Sequence, residues 1–129
     1  MNEHSTIAAS APHEPDPITV EVLRSRLEAI GREAGLAVER TAISPVVSET
    51  KDYSVTIIDA NGRLITGTGY ITGHFGASVS AVRATMAKHG PTIAPGDIFL
   101  ANDPHNGGGL HPNDVIVQKP AFVDGELVG

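Results

Sequence analysis

The sequence predicts an α+β fold with largely antiparallel pairing and two helices, and three observations carry that prediction. Asp16-Pro17 opens a long stretch with helical spacing of apolar residues. Two Gly-ended turns, Asp59-Ala60-Asn61-Gly62 and Asp124-Gly125, each join one β-rich run directly to the next. Connections that short join antiparallel neighbours, because parallel strands need a long crossover. The coarse order of elements is αββαββββ, which places the chain in the α+β class.

Asp16 offers a carboxylate N-cap, and Pro17 sits at the first helical position, where its missing N–H costs nothing. Leu23, Leu27, Ile30, Ala34 and Ala37 then draw one apolar stripe, with Arg24, Arg26, Glu28, Arg32 and Glu33 off it. Gly31 and Gly35 either weaken this helix by about 1 kcal/mol each or permit close approach of another element. The helix is expected to end before Ser44-Pro45. Tyr53 to Ile58 and Arg63 to Thr66 read as a hairpin, after which Gly67, Gly69 and Gly73 break the pattern. Ala77 to His89 reads as the second helix, stopped by Gly90-Pro91, with His89 as a cation favoured at its C-terminal end. Short strands are expected at Asp97 to Ala101, Val115 to Val117, Ala121 to Val123 and Glu126 to Val128.

The chain has 129 residues, enough for one domain with a modest core. A formal net charge of -6, with no Lys/Arg cluster, argues against nucleic-acid binding. No apolar run approaches the ~18 residues of a membrane span. There is no cysteine, so disulfides and thiolate metal sites are excluded and any metal must be held by His and carboxylate. A cytoplasmic location is the expectation. Residues 1–15, rich in Ser, Ala, Pro and His, lack the basic start and apolar core of a signal peptide and read as a disordered arm. His4 and His13 in it are expected to be solvated. Residues 16–129 read as one domain, and the final apolar strand, left without a cap, reads as the front part of a longer protein.

The chemistry concentrates in the stretch Asn102 to Asp114, N-D-P-H-N-G-G-G-L-H-P-N-D. Ordinary connections run about four to six residues, and this one is far longer and carries ligand-type side chains. His111 and Asp114 form an H-x-x-D pair held by Pro112, with Asp52 far upstream as a possible third group. Imidazole with carboxylate suits zinc, manganese or iron(II). A three-ligand site with an open position polarises a carbonyl or lowers the pKa of a bound water. Blander readings stand beside these. An H-x-x-D pair arises often by chance, and Asp52 reads on spacing alone as a solvated carboxylate at the start of a strand. Asp103, carried as a candidate catalytic residue together with His74, reads first as a turn initiator through its Asp-Pro sequence. Asn102 caps a turn equally well, and His105 reads either as a pocket-lining residue or, slightly favoured, as a loop histidine. His74 divides evenly between core hydrogen bonding and a pocket.

The blocks D-P-I-T-V-E-V-L-R (Asp16 to Arg24), E-R-T-A-I-S-P (Glu39 to Pro45), K-D-Y-S (Lys51 to Ser54), D-A-N-G-R-L (Asp59 to Leu64), G-H-F-G (Gly73 to Gly76), P-G-D-I-F-L-A-N-D-P (Pro95 to Pro104) and D-G-E-L-V-G (Asp124 to Gly129) occur in an order that resembles the hydantoinase B/oxoprolinase family. That family includes N-methylhydantoinase and 5-oxoprolinase B-type subunits, caprolactamase, and subunits of acetone and acetophenone carboxylases. The resemblance implies a hetero-oligomeric, ATP-dependent enzyme. In it an A-type partner subunit uses ATP to phosphorylate a carbonyl or bicarbonate, and the B-type subunit completes hydrolysis of a small cyclic amide, or carboxylation, at a metal centre. It implies Asp52, His111 and Asp114 as ligands to zinc, manganese or iron, with a further histidine beyond Gly129. His74, in the G-H-F-G block, would line the same pocket. The family's common loop form is G-G-T-H-L-P-D, against G-G-G-L-H-P-N-D here, which keeps the ligand spacing and changes the local backbone.

Three functions follow as expectations. The favoured one is the metal-dependent B-type subunit of a cyclic-amide hydrolase. The second is a subunit of a carboxylase-type ligase using the same metal. The third is a non-catalytic interaction module. With one ligand beyond Gly129, the chain by itself is expected to be catalytically inert.

Overall fold

The computed structural model describes residues 15–129; the expected arm falls, except for Pro15, outside the described residues. Helix α1 spans Pro17–Thr41, the single-turn helix α2 Pro45–Ser48, strand β1 Ser54–Ile58, strand β2 Leu64–Gly69 and helix α3 Gly73–His89. A short 3-10 turn, Gly90–Thr92, leads to β3 (Phe99–Ala101), β4 (Ile116–Gln118), β5 (Phe122–Val123) and β6 (Glu126–Leu127). The pairs β1–β2, β3–β4 and β5–β6 are all antiparallel, and each forms its own two-stranded sheet. The α+β class and the antiparallel pairing are as expected. The count of two helices is corrected to three, because Pro45 after Ser44 starts a new turn as well as stopping α1.

Asp16 caps α1 as its sequence requires, its carboxylate accepting the Thr19 N–H at 3.1 Å. The face that α1 packs is not the expected apolar stripe. Leu23 and Ile30 are 53% and 55% exposed, whereas Gly31 and Gly35, one turn apart, are the buried residues of the helix. A Cβ on Gly31 would stand 3.3 Å from Thr68 Oγ1, and one on Gly35 would stand 3.2 Å from Tyr53 Cε2. The glycines therefore serve close approach: the helix backbone lies directly on the hairpin, with Leu27 half-buried one turn earlier and Leu23 and Ile30 turned away.

The β1–β2 hairpin is a layer between two helices. Thr68 meets α1, while its neighbour Gly67 meets Phe75 of α3, and successive residues of a strand face opposite sides. The turn between the strands is locked by Asp59, whose carboxylate accepts the N–H groups of Asn61 (2.9 Å) and Arg63 (2.8 Å) and the Arg63 Nε (2.7 Å). Arg83 of α3 donates to Gly62 O at 3.0 Å, tying that turn to the helix. Helix α3 begins four residues earlier than the expected Ala77. Gly73 and Gly76, poor helix formers, disguise its first turn, so His74 is a helical residue and not part of a linker.

Downstream strands are shorter than expected but lie where the sequence puts them. The Asp124-Gly125 turn has both residues at positive φ (50° and 85°), the two-residue hairpin geometry. Ala60 N–H donates to Val128 O at 3.1 Å and so fastens the third ribbon to the first hairpin's turn. Among the described apolar residues, Ile58 and Ala81 are the buried ones, and no described helix is long and apolar enough to cross a membrane.

The two kinds of helical glycine are expected to respond oppositely to substitution. Gly35→Leu overpacks the Tyr53 contact and lowers unfolding stability by about 1–3 kcal/mol. Gly76→Ala, where an added Cβ meets nothing within 4 Å, raises it by about 0.5–1 kcal/mol. Denaturant titration of the two variants checks both signs.

Candidate functional site

Asp52 sits at the mouth of β1, on a segment clamped from the side of α1. Lys51 adopts a left-handed φ of 59°, rare for a residue with a side chain. Its ammonium donates to Ser48 O at 2.7 Å and pairs with the Glu39 carboxylate, which also accepts from Tyr53 Oη at 3.2 Å. Lys51 and Tyr53, the residues flanking Asp52, are therefore both held by Glu39 of α1. The Lys51 partner, then burial opposed by the Tyr53 hydroxyl, leaves the Glu39 carboxyl below its usual range. Tyr53 meets Gly35 of α1, whereas Ser54 and Asp52 stand toward α3.

On that side His74 stands in the first turn of α3. Its Nδ1 lies 3.3 Å from Ser54 Oγ, and its Nε2 lies 3.9 Å from Asp52 Oδ1. Gly69, paired with Ser54 in the hairpin register, leaves room for this contact. A Cβ there would come within 2.5 Å of Ser54 Oγ.

The loop from Asn102 to Asp114 folds over α3. Gly107, at φ 83°, lies so close to the helix that a Cβ would meet Ala84 Cβ and Ser80 O, each at 2.8 Å. Further along, Leu110 rests on Gly73, 3.1 Å from where a Cβ would stand, and so brings His111 and Asp114 toward the end of α3 that carries His74. Asp114 Oδ2 accepts the N–H of Leu110 at 2.7 Å and of His111 at 3.3 Å, and Oδ1 lies 3.1 Å from His111 Nδ1. Gly109, at φ 75°, wraps around that carboxylate, and a Cβ there would stand 2.6 Å from Asp114 Cβ. Burial pushes the Asp114 carboxyl up. The N–H groups of Leu110 and His111, with the imidazoles of His111 and His74, outweigh it and hold the group below the ordinary carboxylate range. His74 is thus within electrostatic reach of both Asp52 and Asp114.

The candidates divide as follows. Asp52 and His74 form one carboxylate–imidazole pair, and His111 and Asp114 form another. Their donor types suit zinc, manganese or iron(II). As arranged, among the described residues no three His, Asp or Glu side chains are gathered closely enough to hold an ion. Asp103 performs the turn-initiating role: its carboxylate accepts the His105 N–H at 2.9 Å and the Asn106 side-chain amide at 2.5 Å, and its carbonyl accepts from Gly108 N–H at 2.7 Å. The Asn106 amide and the His105 N–H hold its carboxyl below the usual range. His105 is exposed in this turn, and His89 stacks on Phe99 at 5.3 Å, away from the site. Ser54 is the site residue that sequence reasoning missed. The signal was its place in the K-D-Y-S block, two positions after Asp52.

A family model described as Hydantoinase B/oxoprolinase matches residues 16–129. The chain belongs to the hydantoinase B/oxoprolinase family. Within that family it is 37% identical over 113 residues to the caprolactamase subunit beta of Pseudomonas jessenii, covering 88% of this chain and 19% of that protein. It is 30% identical over 113 residues to 5-oxoprolinase 1 of Arabidopsis thaliana, covering 88% of this chain and 9% of that protein. With an uncharacterized protein of Methanocaldococcus jannaschii the identity is 35% over 117 residues, 88% of this chain and 21% of that protein. This hydantoinase B/oxoprolinase chain thus spans about a fifth or less of the length of these curated relatives.

Since the folded values of Asp103 and Asp114 are lowered, their contribution to the loop is fully present above the unfolded carboxylate value. It is lost as pH falls through the lowered values. The side-chain carboxyl carbons of Asp103 and Asp114 are therefore expected to keep the shifts of the ionised group down to about pH 4 and to go over to those of the protonated acid only below it. A midpoint at or above the ordinary carboxylate value in an NMR titration would contradict this. Asp114→Ala leaves two N–H groups without their acceptor and costs about 1–3 kcal/mol, read as faster exchange at Leu110.

Proposed function

We propose that this chain supplies part of the catalytic centre of a metal-dependent, B-type hydrolase component that opens a cyclic amide. In this reading it works with ATP and an A-type partner subunit in a hetero-oligomer. Membership of the hydantoinase B/oxoprolinase family, with relatives named 5-oxoprolinase and caprolactamase subunit beta, supports a hydrolase-type role. The observation that supports the reading is a pair of carboxylate–imidazole neighbours, Asp52 with His74 and Asp114 with His111, the second following Leu110, which rests on Gly73 at the start of α3.

In this proposal Asp52, His111 and Asp114 hold a divalent ion, zinc or manganese before iron. His111 is 62% exposed on its side chain and is free to turn from Asp114 toward such an ion. The ion supplies Lewis acidity toward a ring carbonyl or lowers the pKa of a water. The residues of the chain do the rest. Asp103 shapes the loop, the Leu110 and His111 amides keep Asp114 ionised and fixed, and Glu39 holds the Asp52 segment. His74 lies where it can accept a proton from water or a substrate N–H in the pocket.

The test is metal content and ATP-dependent ring opening by a B-type subunit that carries this segment, together with an A-type partner. The wild type is expected to retain about one zinc or manganese per site. Asp52→Ala, His111→Ala or Asp114→Ala is expected to lose the metal and to reduce hydrolysis of 5-oxoproline, a hydantoin or caprolactam at least 100-fold. Full metal content and full activity in Asp114→Ala would remove the proposal. Carboxylation of a ketone in place of hydrolysis would move it to the ligase class.

A further inference from the structure

We propose that Ser54 is a positioning residue that fixes His74 as the Nδ1–H tautomer, so that Nε2 presents an unprotonated electron pair toward Asp52. A serine hydroxyl has one proton to give and two lone pairs to offer. Ser54 Oγ lies 3.2 Å from Ile71 O as donor, and Ile71 O also takes the His74 N–H at 3.1 Å. A carbonyl can only accept, so both contacts of Ser54 become hydrogen bonds together only when the hydroxyl proton points to Ile71. What remains of Ser54 toward His74, at 3.3 Å, is a lone pair, and it needs a proton on Nδ1.

The opposite tautomer fits worse. It would set a bare Nδ1 against the serine lone pair unless the hydroxyl left Ile71. It would also put the ring proton on Nε2, where Asp52 Oδ1 at 3.9 Å is too far to accept it. The ring's second hydrogen bond sets which nitrogen carries the proton in protein sites generally. The hairpin is built for the arrangement: Gly69, directly across from Ser54, has no side chain to displace Oγ from the ring. His74 in turn is held through its backbone by the first turn of α3, so ring and hydroxyl are both anchored. A neutral Nε2 with Asp52 Oδ1 at 3.9 Å is an electron-pair donor for a cation or an acceptor for a proton. In the role proposed above, either makes His74 a working member of the site. The inference rests on that role only for what the donor serves, not for the tautomer itself.

The experiment is a long-range 1H–15N spectrum of the imidazoles in the uniformly labelled full chain, at a pH where they are neutral, with His74 assigned by its absence in His74→Gln. The expected pattern is a protonated Nδ1 and a bare Nε2 in the wild type and in Ser54→Thr. Ser54→Ala is expected to go over to mainly Nε2–H. A wild-type ring protonated on Nε2, or a Ser54→Ala ring unchanged from wild type, overturns the proposal. If Ser54→Ala does not fold, the wild-type spectrum decides alone. A parallel zinc titration of the wild type reads the metal role separately. The expected tautomer without zinc binding sustains the Ser54 assignment and counts against the metal, whereas zinc binding by an Nε2–H ring does the reverse.

Discussion

The approach of α3 to β2 is governed by two positions that have no side chain. At Gly67 the ring of Phe75 comes within 3.0 Å of where a Cβ would stand, and at Gly69 the space goes to Ser54 Oγ. Gly67 lies on the strand face turned to α3, because its neighbour Thr68 meets α1, whereas a Cβ on Gly69 would strike the partner strand at Ser54 and Tyr53. Without those gaps the helix would ride higher, and the first turn that carries His74 would part from the strand that carries Ser54 and Asp52. Close backbone approach in a packed interior leaves little room for adjustment, so the site inherits its geometry from the glycine spacing of one strand.

The same economy governs the loop. Gly107 and Gly109 bring backbone against helix and backbone around carboxylate, and the acidic side chains then organise their own surroundings. Asp103 and Asp114 each accept backbone N–H groups of their neighbours, which keeps them ionised and orients them. One aspartate is consumed by the turn, while the other also holds an imidazole. Similar residues a few positions apart thus have different work, set by which hydrogen bonds the loop has already claimed.

Much of this was legible in the sequence, for reasons that are local. The Asp16-Pro17 helix start, the Asp59 and Asp124 turns and the loop itself each follow from backbone preferences of a few residues. The packed face of α1 was not legible, because apolar periodicity marks a face without saying what it meets, and the glycine face proved the inner one. The start of α3 was obscured by Gly73 and Gly76, whose low helix propensity is outweighed by packing on the hairpin and the loop. The candidate residues His111 and Asp114 were found as a pair because they are near in sequence, and the pair exists. The link between His74 and Ser54 depends on strand register across Gly69, which no spacing rule along one segment reveals.

The outward leucine face of α1 has its counterpart on the β3–β4 ribbon, where Leu100 and Val117, directly paired, are 70% and 65% exposed. Cohesion in such a molecule comes less from oil than from directed bonds: carboxylates on amides, an ammonium on a carboxylate, backbone on backbone. Apolar hydration dominates the heat capacity of unfolding, so a fold with so little of it to expose has a flat dependence of stability on temperature. It answers more readily to acid and to ionic strength than to cooling.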